Sequence, residues 1–389
     1  MRSLELAVKY LAGDRLQGTA AERAALGVAE VTAPDATGFK ELSTRVEATS
    51  GTTSLQEITS LPAKDNLMFI WWGTQADTNS RDPRFGFNGD GKGLNSSSTN
   101  YSTRYQSNWT TTSGGDGGNN EATVLHSHFH KGFAVGWIRN ISSEEKPWWA
   151  LAMGDDKDAG NSITVNATNS GVWKNSSDSI SSMWCDRVGT STGYDIGSPH
   201  GLIMLGADNN ESTASQTGVA DTPFWQELAL GTQSNASPQN TLNTGTFAAK
   251  KFLWVQVHVI CGISGGVEPR ITVNGSGITG TTYSTKYNAN YSNGGATDYA
   301  SDDIRCSING SEGDCFMNFY ILNLSTRQKC LLGETAHSTS NDDATDAPQS
   351  VEFAAKVATN SQITSIEIMD HNGAARIAQN STIRVWGAD

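Results

Sequence analysis

Three histidines at alternate positions, His126, His128 and His130, form the one constellation in this chain with metal-ligand character. On an extended strand, residues i, i+2 and i+4 share a face. Three imidazoles stacked there present the nitrogen ligands that suit a transition metal. The plainer reading is a solvated or interface histidine cluster. Calcium is the other candidate ion, because Asn88-Gly89-Asp90-Gly91, Asp155-Asp156-Lys157-Asp158 and Asn341-Asp342-Asp343-Ala344-Thr345-Asp346 carry hard oxygen donors. None has the twelve-residue spacing of an EF-hand, so ordinary solvated turns are expected.

Nucleophile and phosphate motifs fail on their surroundings. Gly262-Ile263-Ser264-Gly265-Gly266 and Gly189-Thr190-Ser191-Thr192-Gly193 fit G-x-S-x-G, which needs a strand-to-helix elbow. The first runs into Val267-Glu268-Pro269 and a strand instead. Gly275-Ser276-Gly277-Ile278-Thr279-Gly280 fits G-x-G-x-x-G, but no helix follows to receive a pyrophosphate. The tryptophan pairs Trp71-Trp72 and Trp148-Trp149 are candidates for stacking on sugar rings or for lining an interface, since adjacent residues of a strand point to opposite faces. No enzymatic constellation recurs along the chain, and no catalytic residue is expected.

The elements that must position these groups come in two copies. Phe39-Lys40-Glu41-Leu42 returns as Trp225-Gln226-Glu227-Leu228, an offset of 225 − 39 = 186, and Leu61-Pro62-Ala63-Lys64 returns as Phe247-Ala248-Ala249-Lys250 at the same offset. Arg84 to Gly89 matches Arg270 to Gly275. Tyr101 to Tyr105 matches Tyr283 to Tyr287, an offset of 283 − 101 = 182, and Phe133 to Lys146 matches Phe316 to Lys329. Gly206-Ala207-Asp208 matches Gly387-Ala388-Asp389. The reading is a tandem duplication with copies at 36–208 and 209–389 and an N-terminal arm at 1–35. In the arm, Thr19-Ala20-Ala21-Glu22 reads as a capping box and Gly27 as a stop, which predicts one short helix. At the positions matching the histidines, the second copy has Asn309, Ser311 and Gly313.

Only 17% of the 389 residues are charged, and 40 are glycine. Ser, Thr, Asn and Gly fill the gap and favour turns over helices. Short runs rich in β-formers, such as Leu67–Trp72, Phe133–Ile138, Phe252–Ile260 and Phe319–Leu322, are bounded by turn residues. An all-β fold follows, two tandem antiparallel β-sandwiches of jelly-roll-like topology, with the loops between Gly89 and Tyr101 and between Ser107 and Asn120 on the surface. A net charge of −13 repels phosphate backbones, so no nucleic-acid partner is expected. No apolar run reaches the length of a membrane span, and no secretory leader is read at Met1-Arg2-Ser3-Leu4-Glu5. Five cysteines without a C-x-x-C suggest buried free thiols.

With the repeat laid out, the chain resembles virion structural proteins of marine tailed bacteriophages. The resemblance runs through Ser60 to Phe69, Arg84 to Tyr105, Phe133 to Lys146, Ala355 to Thr364 and the terminal Gly-Ala-Asp, in most of both copies. Its motifs are packing and turn patterns. It implies a non-enzymatic subunit, made in a host cytosol and located in the virion, that assembles with copies of itself and with other virion proteins. His126-Ser127-His128-Phe129-His130 separately resembles the metal-binding motif of phage long-tail-fibre tips, where parallel copies in a trimer surround an iron ion. The tandem copy and this cluster depart from the pattern, which leaves the virion layer open. A host-receptor or carbohydrate-binding appendage that contacts a host surface glycan is the alternative.

Overall fold

Along Phe252–Val259 an extended chain turns alternate side chains to opposite faces. In the computed structural model Leu253, Val255, Val257 and Val259 are buried, Gln256 is half-buried and His258 is exposed. The equivalent run Leu67–Trp72 has no polar phase, and every residue in it is buried. One strand is covered on one face over its second half, the other on both.

The structure describes residues 39–53, 55–75, 83–90, 92, 100–107, 114–119, 122–123, 131–155, 163–187, 196–208, 224–262, 266–275, 283–289, 296–301, 303–306, 313–338, 349–371 and 373–389. The helix expected in the arm lies outside them. Within them the chain is all-β. The first half contains β1 (Lys40–Glu41), β2 (Val46–Ala48), β3 (Thr52–Thr53), β4 (Leu55–Ile58), β5 (Asn66–Gln75), β6 (Pro83–Phe87), β7 (Tyr101–Ser107), β8 (Gly114–Asn119), β9 (Ala122–Thr123), β10 (Lys131–Arg139), β11 (Lys146–Asp155), β12 (Ile163–Trp173), β13 (Met183–Arg187) and β14 (Ile196–Ala207). The second contains β15 (Gln226–Thr232), β16 (Thr241–Asn243), β17 (Phe252–Val259), β18 (Pro269–Val273), β19 (Tyr283–Ala289), β20 (Ala296–Ser301), β21 (Ile304–Arg305), β22 (Cys315–Leu322), β23 (Lys329–His337), β24 (Gln349–Val357), β25 (Ile366–Asp370) and β26 (Thr382–Ala388).

Each half builds one long and one short antiparallel sheet. The first long sheet runs β1-β14-β5-β10-β11-β12-β7-β8, with β2 and β3 also paired to β14, and its short sheet runs β4-β13-β6-β9. The second half runs β15-β26-β17-β22-β23-β24-β19-β20 and β16-β25-β18-β21. Leaving out β2 and β3, the second half retraces the first strand for strand.

Three apolar clusters follow from this layering. Between the first pair of sheets, Phe69, Trp71 and Trp148 pack on Phe85, Phe87 and Met183. Between the second pair, Val255, Val257 and Phe319 pack on Ile271, Val273 and Ile368. The third cluster joins the halves, with Met68, Ile70, Trp72, Phe133 and Val135 of one long sheet against Phe252, Tyr320, Leu332 and Trp386 of the other. The Trp72 and Phe252 rings lie 5.2 Å apart. Trp137 and Tyr320 hold equivalent positions, 320 − 137 = 183 residues apart, and their rings meet at 5.7 Å. The rest of the junction is not symmetric: Trp72 meets Phe252, whose counterpart is Asn66, so the copies dock through different parts of their long sheets. Lys356 Nζ crosses the junction to Asp155 Oδ2 at 3.0 Å, with both side chains almost fully buried.

Several polar residues that recur in both copies hold backbone, while Arg84 and Arg270 recur as buried partners of Asp186 and Glu268. Asn140 donates to Lys64 O at 2.9 Å and accepts from Ile180 N at 2.7 Å, and Asn323 donates to Lys250 O at 2.8 Å and accepts from Ile363 N at 2.7 Å. The buried ammonium of Lys146 donates to the carbonyls of Glu144 and Asn175, and that of Lys329 to those of Leu324, Arg327 and Asn360. The Tyr101 hydroxyl accepts from Phe87 N, and the Tyr283 hydroxyl from Val273 N. Asn88-Gly89 and Asn274-Gly275 are turns in which both residues have positive φ, a conformation Asn and Gly tolerate. Lys64 and Asp208 pair at 2.7 Å, Lys250 and Asp389 at 2.6 Å, closing each copy on its Gly-Ala-Asp.

Candidate functional site

The structure separates the four candidate tryptophans. Trp71 points into the first core, where its indole nitrogen donates to Gln56 Oε1 at 2.7 Å, and Trp148 lies in the same core with its ring 5.0 Å from Phe85. Trp72 is buried in the junction between copies. Stacking on a sugar needs an open ring face, and these three are 2%, 3% and 1% exposed, respectively. Their work is packing. Trp149 alone of the four remains half-exposed.

Trp149 does not stand by itself. The antiparallel register of β10 and β11 sets Trp137 directly opposite it, and the two indoles stack at 4.8 Å with 27° between their planes. They line an open cleft of about 620 Å³ together with Phe39, Asn66, Arg139, Pro147 and Asp208. Arg139 is exposed and grips the Glu144 carboxylate through Nε at 2.9 Å and Nη2 at 3.3 Å, a contact that holds that carboxyl below its ordinary range. Asp208 accepts from Lys64 and from the backbone of Asp65. Sequence reasoning missed Trp137, Asn66 and Arg139. The available signal was Phe133–Ile138, apolar in both phases of its alternation, which marks a strand covered on both faces.

Beyond Trp137 the aromatic row continues across the junction. Tyr320 stacks on Trp254 at 5.9 Å, and Trp254 stacks on Trp386 at 4.6 Å. Burial pushes the Tyr320 hydroxyl well up. One row further along the second long sheet, Glu334 and Glu352 face each other directly across the β23–β24 ladder. Burial, reinforced by the Glu352 charge, pushes Glu334 up to about 7, and burial also raises Glu352.

The remaining candidates divide in two. His126, His128 and His130 lie outside the described residues, as do Asp156 to Asp158, the 341–346 stretch, the serines of both G-x-S-x-G matches, and all but the first glycine of G-x-G-x-x-G. Among the described residues no group of three or more His, Cys, Asp or Glu side chains is placed to hold a metal ion. Asp90 of the first acidic loop accepts from the Trp173 indole at 2.9 Å and from Asn100 at 2.7 Å, so its carboxylate ties the loop to β12. Burial raises the thiols of Cys185 and Cys330, the latter to about 12. Among the described residues no helix is long and apolar enough to cross a membrane.

No family model and no curated protein matches the chain. Among solved structures, it is similar to domains LG4-5 of the mouse laminin α1 chain at 9% identity and a TM-score of 0.19, over 90% of this chain and 88% of that one. It is also similar to human GIVD cytosolic phospholipase A2 in complex with methyl γ-linolenyl fluorophosphonate, at 8% identity and a TM-score of 0.12. That match covers 78% of this chain and 33% of the phospholipase. At these scores neither likeness bears on fold or activity.

Proposed function

We propose that the chain is a non-enzymatic structural subunit of a virus particle, built from two jelly-roll-like sandwiches locked back to back. One observation carries the reading. Four polar pairs retained in both copies, Asn140 and Asn323, Lys146 and Lys329, Tyr101 and Tyr283, Asn88 and Asn274, hold backbone, and the retained Lys64 and Lys250, Arg84 and Arg270 are tied up in ion pairs within their own copy. Duplication has preserved a scaffold. Its partners in this reading are further copies of itself and other virion proteins, with residues 1–35 as the anchoring arm. Mass spectrometry of purified particles, together with light scattering of the isolated chain across concentrations, tests it. Presence in particles and self-association are expected. A chain that stays monomeric and is missing from particles would end the proposal.

A second reading, recognition of a host surface glycan by an appendage, has one specific observation in its favour: the half-exposed indoles of Trp137 and Trp149.

A further inference from the structure

From the Trp137–Trp149 cleft we infer a binding site for a neutral pyranose at the end of an oligosaccharide. It rests on the second reading of function and is separable from the first, since the cleft residues are not among the shared backbone struts.

The cleft exists because the two long sheets overlap only in part. At its positions the second copy carries Trp225 for Phe39, Phe252 for Asn66, Leu322 for Arg139, Cys330 for Pro147 and Leu332 for Trp149, at offsets of 186 or 183. Those five belong to the apolar cluster that buries the junction. In the first copy the same end of the sheet extends past the overlap and opens to solvent. Exposure alone accounts for Asn66 and Arg139. Phe39, Trp137 and Trp149 pack partly against the junction cluster, and the surface they keep outside it forms, with Pro147, an apolar floor beside polar groups.

That pairing of chemistry matches a pyranose, whose axial C–H groups form an apolar face and whose hydroxyls ring the edge. A floor of stacked indoles takes the C–H face. Around it stand the Asn66 amide, the Arg139 guanidinium, whose Nε and Nη2 hold Glu144, and the Asp208 carboxylate, which holds Lys64. The cleft volume of about 620 Å³ falls within the range of small-molecule sites. The cleft's own charges are paired, Arg139 with Glu144 and Asp208 with Lys64, and a chain of net charge −13 disfavours sialylated or sulfated sugars. The site is predicted once per chain.

The test applies the full chain to an array of neutral gluco-, galacto- and manno-configured oligosaccharides beside sialylated and sulfated ones, followed by calorimetry with the best-retained free oligosaccharide. Retention of neutral glycans is expected. Trp149→Ala should weaken binding at least tenfold, Trp149→Phe less, and Arg139→Ala and Asn66→Ala severalfold. Phe316→Ser, an exposed apolar residue of the second copy, should leave binding unchanged. Should Trp149→Ala lose its fold by circular dichroism, the surface variants Arg139→Ala and Asn66→Ala decide. Undiminished binding in folded cleft variants overturns this site while sparing glycan recognition. No retention, or retention of acidic glycans only, overturns the site. So does a Trp149→Ala chain that loses self-association when the wild type binds no sugar, because the indoles would then be a subunit contact.

Discussion

On the inward faces of the two long sheets, equivalent residues exchange volume and keep their chemistry. Phe69 covers Gly136 in the first copy, where an added Cβ would lie 2.2 Å from its ring. In the second, Val255 stands for Phe69 and Phe319 for Gly136, and Phe319 in turn sits over Gly333, which replaces Ala150. On the outward faces the chemistry itself changes. Ile70, Val135, Leu151 and Ile203 are buried, and their counterparts are Gln256, Asn318, Glu334 and Arg384. An inward position must fill a dry core in either copy, whereas an outward position answers to whether the partner sheet lies over it. The contrast teaches that each copy's fold is self-contained and that their divergence maps the overlap between them.

The sharpest way to break this comparison is at the charge pair inside the overlap. Lys356→Ala takes from the buried Asp155 its ammonium partner at 3.0 Å, leaving the Lys131 ammonium at 3.9 Å and the Lys131 backbone N–H at 2.6 Å, and is expected to cost about 3–5 kcal/mol in urea denaturation. Replacing both partners, Lys356→Met with Asp155→Leu, is expected to recover most of it. A single variant within about 1 kcal/mol of wild type would mean that water reaches the junction.

Equivalent struts should fail equally. Asn140→Ala and Asn323→Ala each strip the acceptor from a buried backbone N–H, Ile180 or Ile363, and each is expected to cost about 2–3 kcal/mol. A gap above about 1 kcal/mol between them would show that the copies do not use the asparagine alike. Equivalent outward positions should instead differ. Gly201→Ala puts a Cβ 2.2 Å from the Trp72 ring, held in the junction, and is expected to cost about 1–3 kcal/mol. Its counterpart Thr382→Ala, on the part of the second sheet past the overlap, should stay within about 0.5 kcal/mol.

Strands and repeat were legible because they rest on local pattern: alternation places Val255 and Val257. The part played by Asn140 and Asn323 was not, because the carbonyls they bond lie 76 and 73 residues away along the chain. The fate of Trp72 was not legible from its neighbours, because whether an outward face is covered depends on how a distant sheet docks. A trace of it was present: Leu67–Trp72 lacks the polar phase that Gln256 and His258 give the equivalent strand. Trp149 and Trp137 join only through the β10–β11 register, which pairs residues twelve apart in sequence and which no spacing rule announces.

A pH dependence is expected from the Glu334–Glu352 pair of the second copy. Glu334 faces Glu352 across the ladder, where the first copy has Leu151 beside Thr168. With Glu334 raised to about 7 from an ordinary 4.5, the folded state prefers the protonated carboxyl. Below about 4.5 both folded and unfolded chains hold the proton and the site is neutral in its effect. As pH climbs from there toward 7 the unfolded chain gives up the proton first, so native stability falls, and above 7 the full penalty of an ionised pair is in place. The shift is 7 − 4.5 = 2.5 units, and partial exposure of Glu334 screens it, so the penalty comes to about 1–2 kcal/mol. Glu334→Gln keeps the shape and cannot ionise. It should match wild type near pH 4 and exceed it by that amount at pH 8 in urea titrations. If wild type and variant run parallel across the range, Glu334 is solvated as an ordinary surface carboxylate, and the exposed stretch of the outward face of β23 begins at Glu334 itself.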